Sequence, residues 1–367
     1  MEHDEAKISP AQLMLLIAGF ILGSSLLTSF MDDIAGQDAW VAVLAAFLLS
    51  IPFLLSYVRL YKLFPGKNFA QVNDIVYGPY LGKAITALYA AYFFLLLVYN
   101  VHDLSDFYIS YVIPDSPQLI FLIVLTLTCA YAVKKGIEAI ARASLFAVAY
   151  YVFAVAVTTL LLLGSIDLTN LLPVFRLPAR DFVQSTHIFA AIPFCEVIAF
   201  VMIFPSLNDY KKAGKYAVGG LAAAALLLLI IVVRNTGALG LSARIFTDTS
   251  YEAARLIDIG DVLTRIELVV AVAITVALFL KIAVLYYATV SGISTLCRVR
   301  SPQTLIVPLG IAVVVLASGA FASSVSFHRY GANYHPMLAI PFEFVIPPLS
   351  LLIARLRRLP ERKGKRT

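Results

Sequence analysis

Apolar residues in this chain come in long runs broken by short polar clusters, the pattern of a chain that crosses a membrane many times. Ten stretches are apolar enough over the ~20 residues a bilayer requires: 11–30, 40–60, 82–111, 118–133, 141–163, 187–204, 215–239, 262–297, 304–322 and 336–354. Turn and charge clusters separate them, among them Phe64-Pro65-Gly66-Lys67-Asn68, Pro114-Asp115-Ser116-Pro117, Lys134-Lys135-Gly136 and Asn208-Asp209-Tyr210-Lys211-Lys212. The longest segment outside the spans, 240–261, reads as a loop with a short helix. The pattern predicts an all-α, polytopic membrane protein of ten transmembrane helices, with a single domain filling 1–367.

Composition removes the soluble alternatives. Hydrophobic residues make up 61% of the chain and charged ones 14%, with a mean hydropathy of +0.89, against about 45–50% and 25% for ordinary soluble domains. Cys129, Cys195 and Cys297 lie far apart in apolar runs, so their spacing fits neither a disulfide framework nor a zinc site. The acidic opening Met1-Glu2-His3-Asp4-Glu5 is unlike a signal peptide, and the first apolar stretch is expected to remain as a span.

Charge placement sets the orientation. With both termini cytoplasmic, 20 of the 28 lysines and arginines fall on the inner side, including seven between Arg355 and Arg366. Seven fall outside and Lys281 lies within a span, so the bias is the one expected of cytoplasmic loops. The basic tail, 355–367, is then an anchor against anionic lipid. A net charge of +6 therefore implies a membrane surface as partner and no nucleic acid, for which no groove-shaped or aromatic-interleaved basic surface is visible.

Two spans carry helix-breaking signals at matching places. The first contains Gly19-Phe20-Ile21-Leu22-Gly23-Ser24-Ser25, and the sixth contains Ala191-Ile192-Pro193-Phe194-Cys195-Glu196, with Pro205 closing it. Positions one and six are where two inverted five-helix halves, here 8–163 and 181–355, would break their helices to hold a ligand. Each signal has a plainer reading: Gly19 and Gly23 form a Gly-x-x-x-Gly pair suited to close helix packing, and a membrane proline is often only a kink. Glu196 and Lys281 lie inside spans, where a lipid-facing charge costs about 2.5–3.5 kcal/mol, so both are expected to face the interior. They handle a ligand, ion or proton, or they form a structural pair. Tyr92, Tyr99, Asp103 and Asp106 share one face of the third span, either lining an entry vestibule or forming a solvated, aromatic-belted helix end. No phosphate-binding loop, His-Glu-x-x-His or Gly-x-Ser-x-Gly sequence is present; no cofactor or metal is called for, and the chain is not expected to be an enzyme.

Several short strings, in order along the whole chain, are similar to those of the endospore germination permeases. These are the B subunits of nutrient germinant receptors, within the amino acid–polyamine–organocation superfamily. The strings are Ile8-Ser9-Pro10-Ala11-Gln12, Asp38-Ala39-Trp40, Phe64-Pro65-Gly66-Lys67-Asn68, Pro193-Phe194-Cys195-Glu196 followed by Pro205, and Thr264-Arg265-Ile266-Glu267. Two positions depart from that family's pattern: Thr264 stands where an acidic residue is common, and Cys195 where a glycine is common. The resemblance implies a leucine-transporter-type fold with helices 1 and 6 broken. It also implies a receptor shared with A and C subunits in the spore inner membrane, triggered by a small nutrient, typically an amino acid. An ordinary amino acid or cation-coupled transporter, and a subunit with a vestigial pocket, are the competing readings.

The expected ligand site comprises Gly19, Gly23, Ser24 and Ser25 from the first helix, Pro193, Phe194, Cys195 and Glu196 from the sixth, and Tyr99 and Asp103 from the third. Backbone donors at Gly23, Ser24 and Ser25 would take a carboxylate, and Gly23→Leu is expected to abolish binding while the protein still folds. Glu196 would meet the ligand ammonium or brace unwound backbone. In transporters of the fold this family resembles, a sodium ion often sits between the first and eighth helices, and Lys281 is expected to stand in for that cation. The alternative is a lysine snorkelling to the cytoplasmic interface.

Overall fold

The computed structural model describes residues 7–24, 34–257 and 265–360, and these are predominantly helical. Eight helices are long and apolar enough to cross a membrane, and two more are apolar but shorter. In chain order α1 spans Pro10–Leu22, α2 Gly36–Leu63, α3 Pro79–Val112, α4 Gln118–Lys135, α5 Ile137–Ser165, α6 Ala179–Met202, α7 Ala213–Leu239, α8 Glu267–Cys297, α9 Pro302–Ser318 and α10 His335–Leu356. Each expected stretch meets one of them, α1 and α9 being the short pair.

Local chemistry fixes the boundaries. Ser9 caps α1: its hydroxyl accepts from the Gln12 N–H at 3.2 Å, and the Gln12 side chain accepts from the Ser9 N–H at 2.8 Å. Pro10 follows at the first helical position, where a missing N–H costs nothing. The start of α8 differs from expectation: the helix begins at Glu267, with Arg265 ion-paired to Glu267 at 3.4 Å, and 258–264 lie outside the described residues. Two short helices occupy matching places in the order of elements, Phe69–Tyr77 after α2 and Thr249–Arg255 after α7. The second lies in the segment read as a loop with a short helix. The first was not expected; Asn68 starts it through a capping box with Gln71.

Burial separates core helices from lipid-facing ones. The most apolar 18 residues of α6 are 89% buried and those of α8 67%, against 22% for α4 and 28% for α5. α1 packs on α5, α7 and α8, while α8 also packs on α3 and α6. The strand-like pairing of Ile8 with Leu207 ties the entrance of α1 to the exit of α6: the Ile8 N–H donates to the Ser206 carbonyl (2.8 Å), and the Asn208 N–H to the Ile8 carbonyl (3.1 Å). The start of α1 and the end of α6 are thereby fixed to one point.

One carboxylate holds three successive backbone N–H groups of the loop between α5 and α6. Asp38, 1% exposed, accepts the backbone N–H groups of Phe175, Arg176 and Leu177 at 2.8, 2.9 and 3.1 Å. Hydrogen bonds to a charged acceptor contribute about 1.5–3 kcal/mol each. Asp38→Ala should free the segment between α5 and α6 and speed its cleavage in limited proteolysis severalfold. An unchanged cleavage pattern would remove Asp38 from this role.

A buried ion cluster between broken helices

The α6 break lies at the expected residues. The helix is regular to Phe189, widens to a π turn over Ala190–Phe194, and continues as a tighter 3-10 helix over Cys195–Met202. Ile192, at φ −99° and ψ 44°, leaves helical conformation, and Pro193 removes a donor immediately after it,. The turn rotates Glu196 into the protein centre, where it is 1% exposed. α10 is interrupted in the same manner, with a π turn over Ile340–Val345 that carries Glu343, fully buried. Such wide turns frequently mark functional positions.

Lys281 is enclosed on all sides. Its Nζ lies 2.5 Å from Glu196 Oε2, donates to Ser24 Oγ at 2.5 Å, and stands 5.5 Å from the centre of the Phe20 ring. The lysine therefore ties α1, α6 and α8 together and does not reach a membrane interface. Counted from Glu267, it is 281 − 267 = 14 residues into α8, about 21 Å along the axis, shallower than the expected start at 262 would place it. Its partners are the Ser24 hydroxyl and the Glu196 carboxylate. His335 Nε2 approaches the other oxygen of Glu196 at 3.4 Å.

Glu343 is the second carboxylate of the cluster. Tyr92 donates to its Oε1 at 2.8 Å, while Tyr57 and Tyr89 donate to the backbone carbonyls of Glu343 and Phe342 at 2.5 and 2.6 Å. Tyrosines of α2 and α3 thus hold the wide turn of α10 in place. The Tyr92 ring stacks on Phe342 with centroids 4.3 Å apart. Above it, Tyr99 donates to the Tyr330 hydroxyl at 3.1 Å and sets its ring against His335. Among the described residues no three His, Cys, Asp or Glu side chains converge as a metal site would require.

The structure brings Ser24, Glu196 and Lys281 into contact. Pro193, Phe194 and Cys195 are buried at the break, with Phe194 packed edge-on to Phe47 at 6.4 Å. Tyr99 reaches the cluster through His335. Asp103 does not join it: four residues further along α3 it is 4% exposed, and its Oδ2 makes no hydrogen bond to the described residues. It is no solvated helix end. Gly19 and Gly23 take the close-packing role. A Cβ at Gly19 would fall 2.5 Å from Leu280 Cδ1, and one at Gly23 would fall 2.8 Å from both the Ala277 carbonyl oxygen and Lys281 Cβ. The expectation that Gly23→Leu leaves folding intact is therefore corrected, because a side chain there must displace backbone of α8. Ser25 lies outside the described residues. Glu343, His335 and Tyr57 were missed, although an acidic residue within a span is itself a signal, and Pro336, Pro341, Pro347 and Pro348 mark that span as irregular.

Interrupted helices gathered around a buried charged cluster define a transporter-like membrane protein of the leucine-transporter-type fold. The chain superposes on MHP1, a nucleobase-cation-symport-1 family transporter, with a TM-score of 0.72 at 14% identity, covering 96% of this chain and 79% of that one. It superposes equally on MhsT, again at 0.72, with 16% identity over 96% and 90%. The family profile described as spore germination protein matches residues 7–323, and the chain belongs to that family of permeases. It is 30% identical to spore germination protein KB of Bacillus subtilis (strain 168), over 99% of this chain and 98% of that protein. With spore germination protein YndE of the same organism it shares 23% identity over 79% and 81%. It is a multi-pass membrane protein of germination-receptor type with a transporter-like fold.

Proposed function

We propose that the chain senses a small nutrient, an amino acid, in the centre of this bundle and passes its occupancy to A and C receptor subunits in the spore inner membrane. The termini face the cytoplasm, and 8–163 and 181–355 act as the two halves between which the ligand sits. The observation that carries this reading is the Ser24–Lys281–Glu196 tie. It joins the break of α6 to the end of α1 through charges with no route to solvent, so a polar ligand entering there must exchange contacts with it. Binding one arrangement of α1 and α6 more tightly than another is what lets a ligand change the state of a complex. In support, MhsT, which shares the fold, is described in complex with L-phenylalanine.

Thermal-shift measurement of the purified protein against each L-amino acid tests the reading. A ligand at 100 times its Kd should stabilise the folded state by about 2.7 kcal/mol, and no shift with any amino acid would refute it. Uptake of the same labelled amino acid into vesicles would instead identify a secondary transporter.

A further inference from the structure

The two carboxylates of the cluster are not equivalent. Glu196 is ion-paired, with Lys281 Nζ at 2.5 Å on one oxygen and His335 at 3.4 Å on the other. Glu343 has no such partner. No lysine, arginine or histidine nitrogen lies within 4 Å of it among the described residues. Its Oε2 is buried and makes no hydrogen bond to the described residues, while Oε1 is held by the neutral hydroxyl of Tyr92. A buried carboxylate is costly without a cationic partner. This one is aimed by the interrupted turn of α10 toward Tyr92.

We propose that Glu343 is the ammonium-binding group of the site, recognising the amino group of a small primary-amine nutrient, with Tyr92 positioning its carboxylate. The inference rests on the nutrient-sensing reading and changes the role expected of Glu196. Committed to Lys281, Glu196 braces α6 against α8 and leaves the ligand's positive charge to Glu343. A ligand ammonium offers three donors, enough to engage Oε2 with donors to spare. Phe342, stacked on Tyr92, would then bound the ligand beside its charged end.

The test uses the full-length protein and those L-amino acids that shift its melting temperature, each paired with the carboxylic acid lacking the amino group. Wild-type protein should bind the deaminated acid about 10- to 100-fold more weakly, the loss of one charge-assisted contact. Glu343→Gln, nearly isosteric, should weaken the amino acid by a similar factor and leave the deaminated acid almost unchanged. Equal wild-type affinity for an amino acid and its deaminated partner overturns the assignment, as does full amino acid affinity in a folded Glu343→Gln variant. If that variant does not fold, the wild-type comparison decides alone. Failure of every amino acid to bind wild-type protein would refute the sensing reading, and this assignment with it. Binding without discrimination would refute only the role of Glu343.

Discussion

Lys281→Ala should destabilise the protein by about 3–5 kcal/mol, the cost of removing one member of a buried ion pair and leaving the other unpaired. The geometry puts the pair at the severe end of such cases. Both side chains are within 2% of complete burial, their charged atoms are 2.5 Å apart, and the ammonium donates a hydrogen bond to Ser24. Glu196→Gln should cost less, because an amide still offers an oxygen to Lys281. The double variant Lys281→Met/Glu196→Gln should recover most of the loss, since an apolar side chain of similar length is often tolerated in place of a buried ion pair. The gap between the double variant and the sum of the single ones measures the coupling of α6 to α8. Melting curves of the purified variants check the stabilities. Wild-type stability in Lys281→Ala would show that the pair holds nothing together. The double variant separates stability from function: if the tie must rearrange around the nutrient, it should melt near wild type yet fail to respond to the amino acid.

What the sequence made legible followed from its chemistry. The ten apolar stretches were readable because lipid demands near-continuous hydrophobic side chains, and the break in α6 because Pro193 has a local effect on backbone that needs no tertiary context. Lys281 and Glu196 stood out singly as charges inside spans. That they meet was not readable, since contact between α6 and α8 depends on how the bundle closes. Glu343 was hidden for a related reason. It occupies a proline-dense span near the end of the chain, and its importance comes from the π turn of α10 and from Tyr57, Tyr89 and Tyr92, on helices more than 240 residues earlier. The short helix after α2 was masked by Pro65 and Gly66, which read as a turn, while its actual start, Asn68 with Gln71, is a capping box. At Gly19 and Gly23 the residue types allowed two readings, unwinding or close approach. Only the neighbouring helix decides between them, and the described part of α1 shows close approach.

Those glycines supply the second large expected effect, a contrast between two like substitutions one turn apart. Gly23→Ala should be severe and Gly19→Ala mild, although both add one methyl group to a buried face of α1. At Gly19 the new atom would meet Leu280 Cδ1 at 2.5 Å and Val148 Cγ2 at 3.2 Å. Both are ends of side chains, and Leu280 can turn away at the cost of an altered rotamer, about 0.5–1.5 kcal/mol if it is left off its minimum. At Gly23 the new atom meets the Ala277 carbonyl oxygen at 2.8 Å, a backbone atom in the middle of α8 that moves only with its helix. Overpacking of this kind typically costs about 1–3 kcal/mol. Here it acts beside the cluster as well, because the same methyl lies 2.8 Å from Lys281 Cβ and pushes the lysine away from Ser24. Gly23→Ala should therefore lower the melting temperature further than Gly19→Ala and weaken amino acid binding by about tenfold or more, the equivalent of 1.4 kcal/mol, with Gly19→Ala close to wild type in binding. Equal effects of the two substitutions would mean that α1 and α8 are not held at the separation described, and that the lysine does not depend on it.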